Sequence, residues 1–388
     1  MSDVRYLLGH DDLRTDPMRA WSDEACAFLM DLSSALMQEG RTWPDVAAFA
    51  FWCRKSNLQR LKSARSDLEF LLGRGLTFHI TPSNIPVNFA FSFAFSLLAG
   101  NANLVRVPSR PFPQTEIICR AISTVLQNFP EIARRTAFVT YPVKQEVTAH
   151  FSSRADVRMI WGGDRTIAAV RGLPTRPRCL DLCFADRYSL AMLDARAVRA
   201  ADDSELKRLA ELFYRDTYLV DQNACSSPQL VLWRHDDPEA RERFWDEVHT
   251  TARQKYALQP AVAVSKYTQI FQDLLDTDLV GRVTRADNYL CRAELRTLTS
   301  ECERLRGFGG YFFEYALQDL RELAGVVSTR YQTLTTYGLD RSELRRFVVE
   351  NRLPGIDRIV PIGSALDIGP YWDGCDLVGM MSRRVELV

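Results

Sequence analysis

The sequence predicts an α/β chain built on a doubly wound sheet and followed by a second α/β domain. Three observations predict it. Short β-prone runs alternate with helical periodicity in the order strand, loop, helix, strand. The most apolar stretch, Phe89 to Ala99 (FAFSFAFSLLA), has 11 residues, against the roughly 20 that cross a bilayer, and so reads as a buried helix. A length of 388 residues also exceeds what one hydrophobic core usually serves.

Trp21 to Arg74 carries Leu, Ala, Phe and charge at helical spacing and is read as a helical region covering one side of a sheet. Leu76 to Ile80 (LTFHI) is a strand, and two prolines then break regular structure in Thr81 to Pro86. Phe89 to Leu98 is a helix stopped at Gly100-Asn101 in a left-handed turn, and Ala102 to Val107 is the next strand. The unit repeats through helix Glu116 to Asn128, strand Thr136 to Thr140, helix Lys144 to Phe151, strand Val157 to Trp161 and helix Asp164 to Val170. In such a sheet the ligand crevice lies beyond the carboxyl ends of the strands, which puts Asn84, Arg106 and Gly162 at one edge.

Further strands are expected at Cys179 to Leu182 and Ser189 to Leu193, then a helix at Glu205 to Asp216, a polar loop through Cys225, and strand Gln229 to Trp233. Helices follow at Pro238 to Ala257 and Tyr267 to Leu275. Tyr289 to Leu323 resists division, apart from a turn at Gly307 to Gly310 and a strand at Tyr311 to Tyr315. Arg358 to Pro361 is a last strand. The expected domains are residues 1–193 (nucleotide-binding, with the helical N-terminal region), 194–355 (carrying the cysteine), and 356–388, which return toward the first.

Composition narrows the function classes. Lys plus Arg and Asp plus Glu each number 49, so no whole-chain field favours nucleic acid or an anionic membrane. Nine scattered cysteines fit reduced thiols in a cytoplasmic protein. The start, MSDVRYLLGHDDLRTD, has no signal or transit character, and no segment reads as transmembrane. The five histidines form no ligand spacing, no metal site is expected, and there is no G-x-S-x-G elbow.

Cys225 is the principal candidate, because small residues around it let a ligand reach the sulfur and a thiol can carry an acyl group as a thioester. By pattern alone such a cysteine is more often structural. Asn84 follows a buried strand, where its amide either stabilises an oxyanion or caps the next helix. Arg106 ends an apolar strand and, with Ser109 and Arg110 beside it, either meets a cofactor ribose or phosphate or pairs with an acid. Gly162-Gly163 permits close approach of a pyrophosphate at a helix start, or is only a turn; no G-x-G-x-x-G follows a strand.

Five segments carry a resemblance: HITPSNIPVNFAFSFAFSLLAGNANLVRVPSR at His79 to Arg110, DVRMIWGGD at Asp156 to Asp164, DQNACSSPQLVLW at Asp221 to Trp233, YQTLTTYG at Tyr331 to Gly338, and GIDRIVPIGSALDIGPYWDGCDL at Gly355 to Leu377. The chain resembles the acyl-CoA reductase family typified by LuxC, the fatty-acid reductase of bacterial luminescence, a branch of the aldehyde dehydrogenase superfamily. The resemblance implies an aldehyde dehydrogenase-like fold, with a Rossmann-type cofactor domain and an α/β catalytic domain. It implies that Cys225 accepts the acyl group, that Asn84 binds the oxyanion, and that Arg106, Ser109, Arg110, Gly162 and Gly163 meet the cofactor.

The same resemblance implies NADPH as reductant with NADH left open, an acyl-CoA or acyl-protein donor, an acyl-protein synthetase partner and a homodimer. Aldehyde-oxidising relatives carry a glutamate in a Glu-Leu-Gly-Gly segment, where this chain reads Leu180-Asp181-Leu182-Cys183. A reductase has no need to activate water there. The competing readings are NAD(P)-dependent aldehyde oxidation, acyl transfer without redox chemistry, and a noncatalytic subunit of the same fold.

Overall fold

The structure, a computed structural model, describes residues 4–82, 85–108 and 110–387. It divides into two compact units, Met1–Ala185 with Gly369–Val388, and Asp186–Ile368. Among the described residues no helix is long and apolar enough to cross a membrane.

The first unit holds a six-stranded sheet in the order Arg5–Leu8, Thr136–Thr140, Ala102–Arg106, Leu76–Ile80, Val157–Trp161, Leu180–Phe184. All pairings are parallel except that of Arg5–Leu8 with Thr136–Thr140. The chain starts at Leu76–Ile80, winds outward through Ala102–Arg106 and Thr136–Thr140, then returns to the other side with Val157–Trp161. The topological switch therefore falls between Leu76–Ile80 and Val157–Trp161.

Helix Asn88–Leu98 is buried along its whole length, as its unbroken apolar character requires. It stops at Gly100, where φ is +89° and a Cβ would come within 2.2 Å of the Met18 carbonyl oxygen. Only glycine fits there. The N-terminal helical region forms Asp23–Glu39, Pro44–Trp52 and Lys55–Ser63, with Phe28 meeting Phe93 edge-on at 6.1 Å. Elements outside the sequence expectation include the short edge strand Arg5–Leu8, and Leu71–Gly73 paired antiparallel with Ser382–Arg384.

One polar group is sunk into this core. His79 is fully enclosed, with Nδ1 at 2.7 Å from Ser92 Oγ and Nε2 at 3.0 Å from Asn103 Oδ1. Burial pulls its pKa down to about 4, so the ring is neutral.

The second unit holds seven strands in the order Val280–Arg285, Cys291–Leu295, Tyr311–Leu317, Pro228–Arg234, Tyr188–Asp194, Tyr331–Tyr337, Arg358–Pro361, parallel except for the first pair. Helix Asp203–Asp216 begins with a reciprocal cap between Asp202 and Glu205. The undivided stretch resolves into strands Cys291–Leu295 and Tyr311–Leu317 joined through a turn in which Gly309 and Gly310 have φ of +58° and +88°. The indoles of Trp233, on a central strand, and Trp245, on helix Pro238–Lys255, both donate to the buried Glu314 carboxylate, at 3.0 and 2.9 Å.

Candidate functional site

In the second unit, Cys225 lies in the loop that feeds the central strand Pro228–Arg234. The loop turns through Asp221 and Gln222, both left-handed at φ +50° and +57°. Non-glycine residues adopt this conformation at a cost of roughly 1–2 kcal/mol each. Buried amides offset it: Gln222 Nε2 donates to the Tyr311 carbonyl at 3.0 Å, and Gln222 Oε1 accepts from the Gly310 N–H at 2.9 Å. Gln229 works in parallel, donating to the Gln222 carbonyl at 2.9 Å and accepting from the Gly307 N–H at 2.8 Å.

The cysteine is held from the opposite side by the neighbouring strands. Ser189 Oγ donates to the Cys225 carbonyl at 2.7 Å and accepts from the Thr333 N–H at 3.1 Å. The half-buried sulfur accepts from Gln332 Nε2 at 3.5 Å. The other end of that amide, Gln332 Oε1, accepts from Thr333 Oγ1 at 3.3 Å.

Next to Tyr331–Tyr337 runs Arg358–Pro361, with Arg358 in register with Thr333. The Arg358 guanidinium donates to three carbonyls, Ala365 at 2.7 Å, Ser364 at 2.8 Å and Asp367 at 2.6 Å. Burial lowers its pKa, while negative charge at Asp367, Asp216 and Cys225 acts to raise it. Asp216 is fully buried and accepts from the Gly363 and Ala365 N–H groups at 2.6 and 2.9 Å. Burial outweighs those bonds and pushes its carboxyl up to about 7.

In the first unit, Arg106 is in register with Ile80 at the carboxyl edge of the sheet, and Gly162 directly follows strand Val157–Trp161, whose Ile160 flanks Ile80 on the other side. Arg106 folds back on Tyr141, its guanidinium 4.5 Å from the ring centroid and 3.4 Å from the Tyr141 carbonyl oxygen. Arg110 is exposed and lines a cavity of about 470 Å³ together with Arg5, Arg120 and Glu116. Arg120 pairs with Glu39 at 3.2 Å; among the described residues Arg5 and Arg110 have no acid partner. A Cβ at Gly163 would meet nothing within 4 Å. Asn84 and Ser109 lie outside the described residues.

Asp181 is engaged elsewhere. It receives two hydrogen bonds, at 2.7 and 2.6 Å, from the buried Arg158. Gln222, Ser189, Gln332 and Arg358 were not foreseen as site residues. The signal for Gln222, Gln332 and Arg358 was that their segments, Asp221–Trp233, Tyr331–Gly338 and Gly355–Leu377, carry the resemblance.

Residues 53–384 match the family model described as acyl-CoA reductase (LuxC). No curated protein is similar in sequence. Among solved structures, the chain is similar to glyceraldehyde-3-phosphate dehydrogenase GapN from Methanocaldococcus jannaschii complexed with NADP, at 13% identity and a TM-score of 0.64, covering 93% of this chain and 88% of that one. It is also similar to Thermus thermophilus 1-pyrroline-5-carboxylate dehydrogenase, at 14% identity and 0.63, covering 94% and 81%. A NAD-dependent benzaldehyde dehydrogenase from Corynebacterium glutamicum matches at 14% and 0.61, covering 93% and 84%. At these identities the likeness is one of fold: an aldehyde dehydrogenase-like α/β architecture.

Proposed function

Because the chain belongs to the acyl-CoA reductase (LuxC) family, we propose that it reduces an acyl thioester to an aldehyde with NADPH, through an acyl group carried on Cys225. The observation that carries this reading is the setting of the sulfur: a half-buried thiol in an over-determined loop, with a side-chain amide 3.5 Å away. Such a group is held for chemistry rather than packed as filler.

The Cys225 sulfur attacks the acyl carbonyl, the donor thiolate leaves, and a thioester bond to Cys225 replaces the one broken. The proposed oxyanion donors are the Cys225 N–H and the Asn84 amide, which lies outside the described residues. NADPH, when bound, supplies the hydride that, with a proton, takes this thioester to aldehyde and free thiol. The first unit's chain winding gives the sheet edge where such a cofactor binds, and Gly163 leaves its backbone open to approach. Asp164 in the first helical turn disfavours a phosphate there.

Arg110 is the proposed partner of the extra phosphate of NADPH, since it shares a cavity with Arg5 and neither has an acid partner among the described residues. R110A is expected to lose about tenfold in kcat/KM with NADPH, a loss of about 1.4 kcal/mol, and little with NADH. Equal losses with both cofactors defeat that assignment. The pairing of Asp181 with Arg158 favours reduction over aldehyde oxidation, which needs a base to activate water.

The whole reading is tested by intact-mass analysis after adding an acyl-CoA. The expected result is a gain of one acyl group in the native chain, its loss on adding NADPH with release of aldehyde, and no gain in C225A. An adduct that persists in NADPH points to acyl transfer alone. No adduct at all overturns the role of Cys225.

A further inference from the structure

Helix Pro260–Asp276 of the second unit is turned the opposite way from an ordinary surface helix. Val264, Phe271 and Leu275 on it are exposed, while the three side chains it buries are Lys266, Ile270 and Asp273. Lys266 is fully enclosed. Burial lowers its pKa, negative charge at Cys291 and Asp287 acts to raise it, and Arg285 lowers it further. An enclosed ammonium is costly unless hydrogen bonds hold it, and the chemistry at Cys225 makes no direct use of this one.

We propose that Lys266 is a positioning residue for Cys225, acting through the Gly309–Gly310 peptide and the Gln222 amide. The inference rests on the reading of Cys225 as the acyl acceptor and deepens it, for it names what aims the loop that carries the sulfur.

The contacts form one path. The Lys266 ammonium donates to the Gly309 carbonyl at 2.7 Å and to the Asn288 carbonyl. The other end of the same peptide, the Gly310 N–H, donates to Gln222 Oε1 at 2.9 Å. A trans peptide is planar with its C=O and N–H pointing to opposite sides, so one rigid plane stands between the ammonium and the glutamine. A positive charge on its carbonyl polarises that peptide and strengthens its N–H as a donor. Gln222 passes the constraint on. Its Nε2 donates to the Tyr311 carbonyl at 3.0 Å, and its backbone, at φ +57°, turns the chain into Cys225 three positions later.

The peptide needs such partners. Gly309 and Gly310 lie at φ of +58° and +88°. Glycine reaches that region without steric cost and leaves it as easily, so the plane between them is held by the groups it bonds, Lys266 on one side and Gln222 on the other. Val262, one helical turn before Lys266, closes the flank: a Cβ at Gly309 would come within 2.7 Å of its Cγ1.

The test is hydrogen–deuterium exchange of the full chain, read by mass in peptides covering residues 217–227, 260–276 and 157–161. It needs neither acyl donor nor nicotinamide. In K266M, exchange over 217–227 is expected to rise by about tenfold, with 157–161 unchanged. The double variant K266M/Q222A is expected to exchange there no faster than Q222A alone, because both substitutions cut the same path. Faster exchange over 260–276 with 217–227 unchanged overturns the proposal, since Lys266 then anchors only its own helix. Additive effects in the double variant overturn it too. In acyl-CoA reduction with NADPH, K266M is expected to lose about tenfold in kcat, with KM within about twofold of the native value. An unchanged kcat beside a loosened loop also overturns the proposal. Where K266M fails to fold, K266Q, which keeps a hydrogen-bond donor without the charge, carries the test with the same overturning results. A loop that loosens as expected in a chain that forms no acyl adduct and no aldehyde defeats the reductase reading alone.

Discussion

The loop presenting Cys225 and the turn at Gly162–Gly163 each border a central strand of their own sheet, yet they are secured by different means. The cysteine loop is tied by its own Gln222 side chain and by Gln229, Ser189 and Gln332 from strands of the sheet. The glycine turn is held by backbone bonds, from the Gly162 N–H to the Phe184 carbonyl at 3.1 Å and from the Ile167 N–H to the Gly163 carbonyl at 3.1 Å, and has an open flank at Gly163. In the first unit the buried polar investment lies under the sheet instead, at His79. A sulfur that must meet an acyl carbon needs fixed geometry, whereas a backbone that a cofactor approaches needs space.

The two units also answer pH oppositely, and this gives the largest test of the comparison. Asp216 has a folded pKa of about 7, raised from 3.8. Its contribution is fully present below pH 4 and is lost as pH rises through about 7, a swing of about 4 kcal/mol. His79 is depressed from 6.5 to about 4. Its contribution is present above pH 6.5 and is lost as pH falls through about 4, a swing of about 3 kcal/mol. In urea unfolding from pH 4 to 7.5, H79Q is therefore expected to lose stability more steeply than the native chain as pH rises, and D216N to gain. Parallel profiles for all three chains break the comparison.

Smaller effects separate the loop from the turn. Q222A removes both bonds that hold the left-handed turn and strands the Gly310 N–H and the Tyr311 carbonyl. The expected cost is about 2 kcal/mol in unfolding free energy, with kcat falling more than KM rises. If the variant is as stable and as active as the native chain, the amides are not what sets the loop. G163A adds a methyl group to open space at an ordinary φ of −68°. Its stability should change by less than about 0.5 kcal/mol, so any larger effect should appear in nicotinamide affinity, measured by fluorescence titration.

The same contrast explains what could be read from the sequence. Thr136–Thr140, Val157–Trp161 and Arg358–Pro361 have the limits expected for them, because β-branched and apolar runs there are cut off by turn-forming or charged residues. Arg5–Leu8 has only four residues and exists as a strand through its pairing with Thr136–Thr140. Tyr331–Tyr337 is buried at six of its seven positions although four of them are Gln or Thr. Thr336 Oγ1 donates to the Val360 carbonyl at 3.3 Å and Gln332 Nε2 to the Cys225 sulfur at 3.5 Å, cross-element bonds that no hydropathy pattern reveals. Cys225 was legible through its resemblance segment. Its surroundings were not, since Gln332 donates to its sulfur from 107 positions along the chain, and Arg358, 133 positions along, is aligned with Thr333 through strand register alone.

The antiparallel pair Leu71–Gly73 and Ser382–Arg384 joins residues separated by almost the whole length of the chain. During synthesis the first strand leaves the ribosome long before its mate exists, and the contiguous Asp186–Ile368 unit emerges in between. That middle piece can fold as it appears. The flanking piece has to wait with an unzipped edge until residues 369–388 have been translated, which makes the nascent chain vulnerable to proteases and misassociation in that interval.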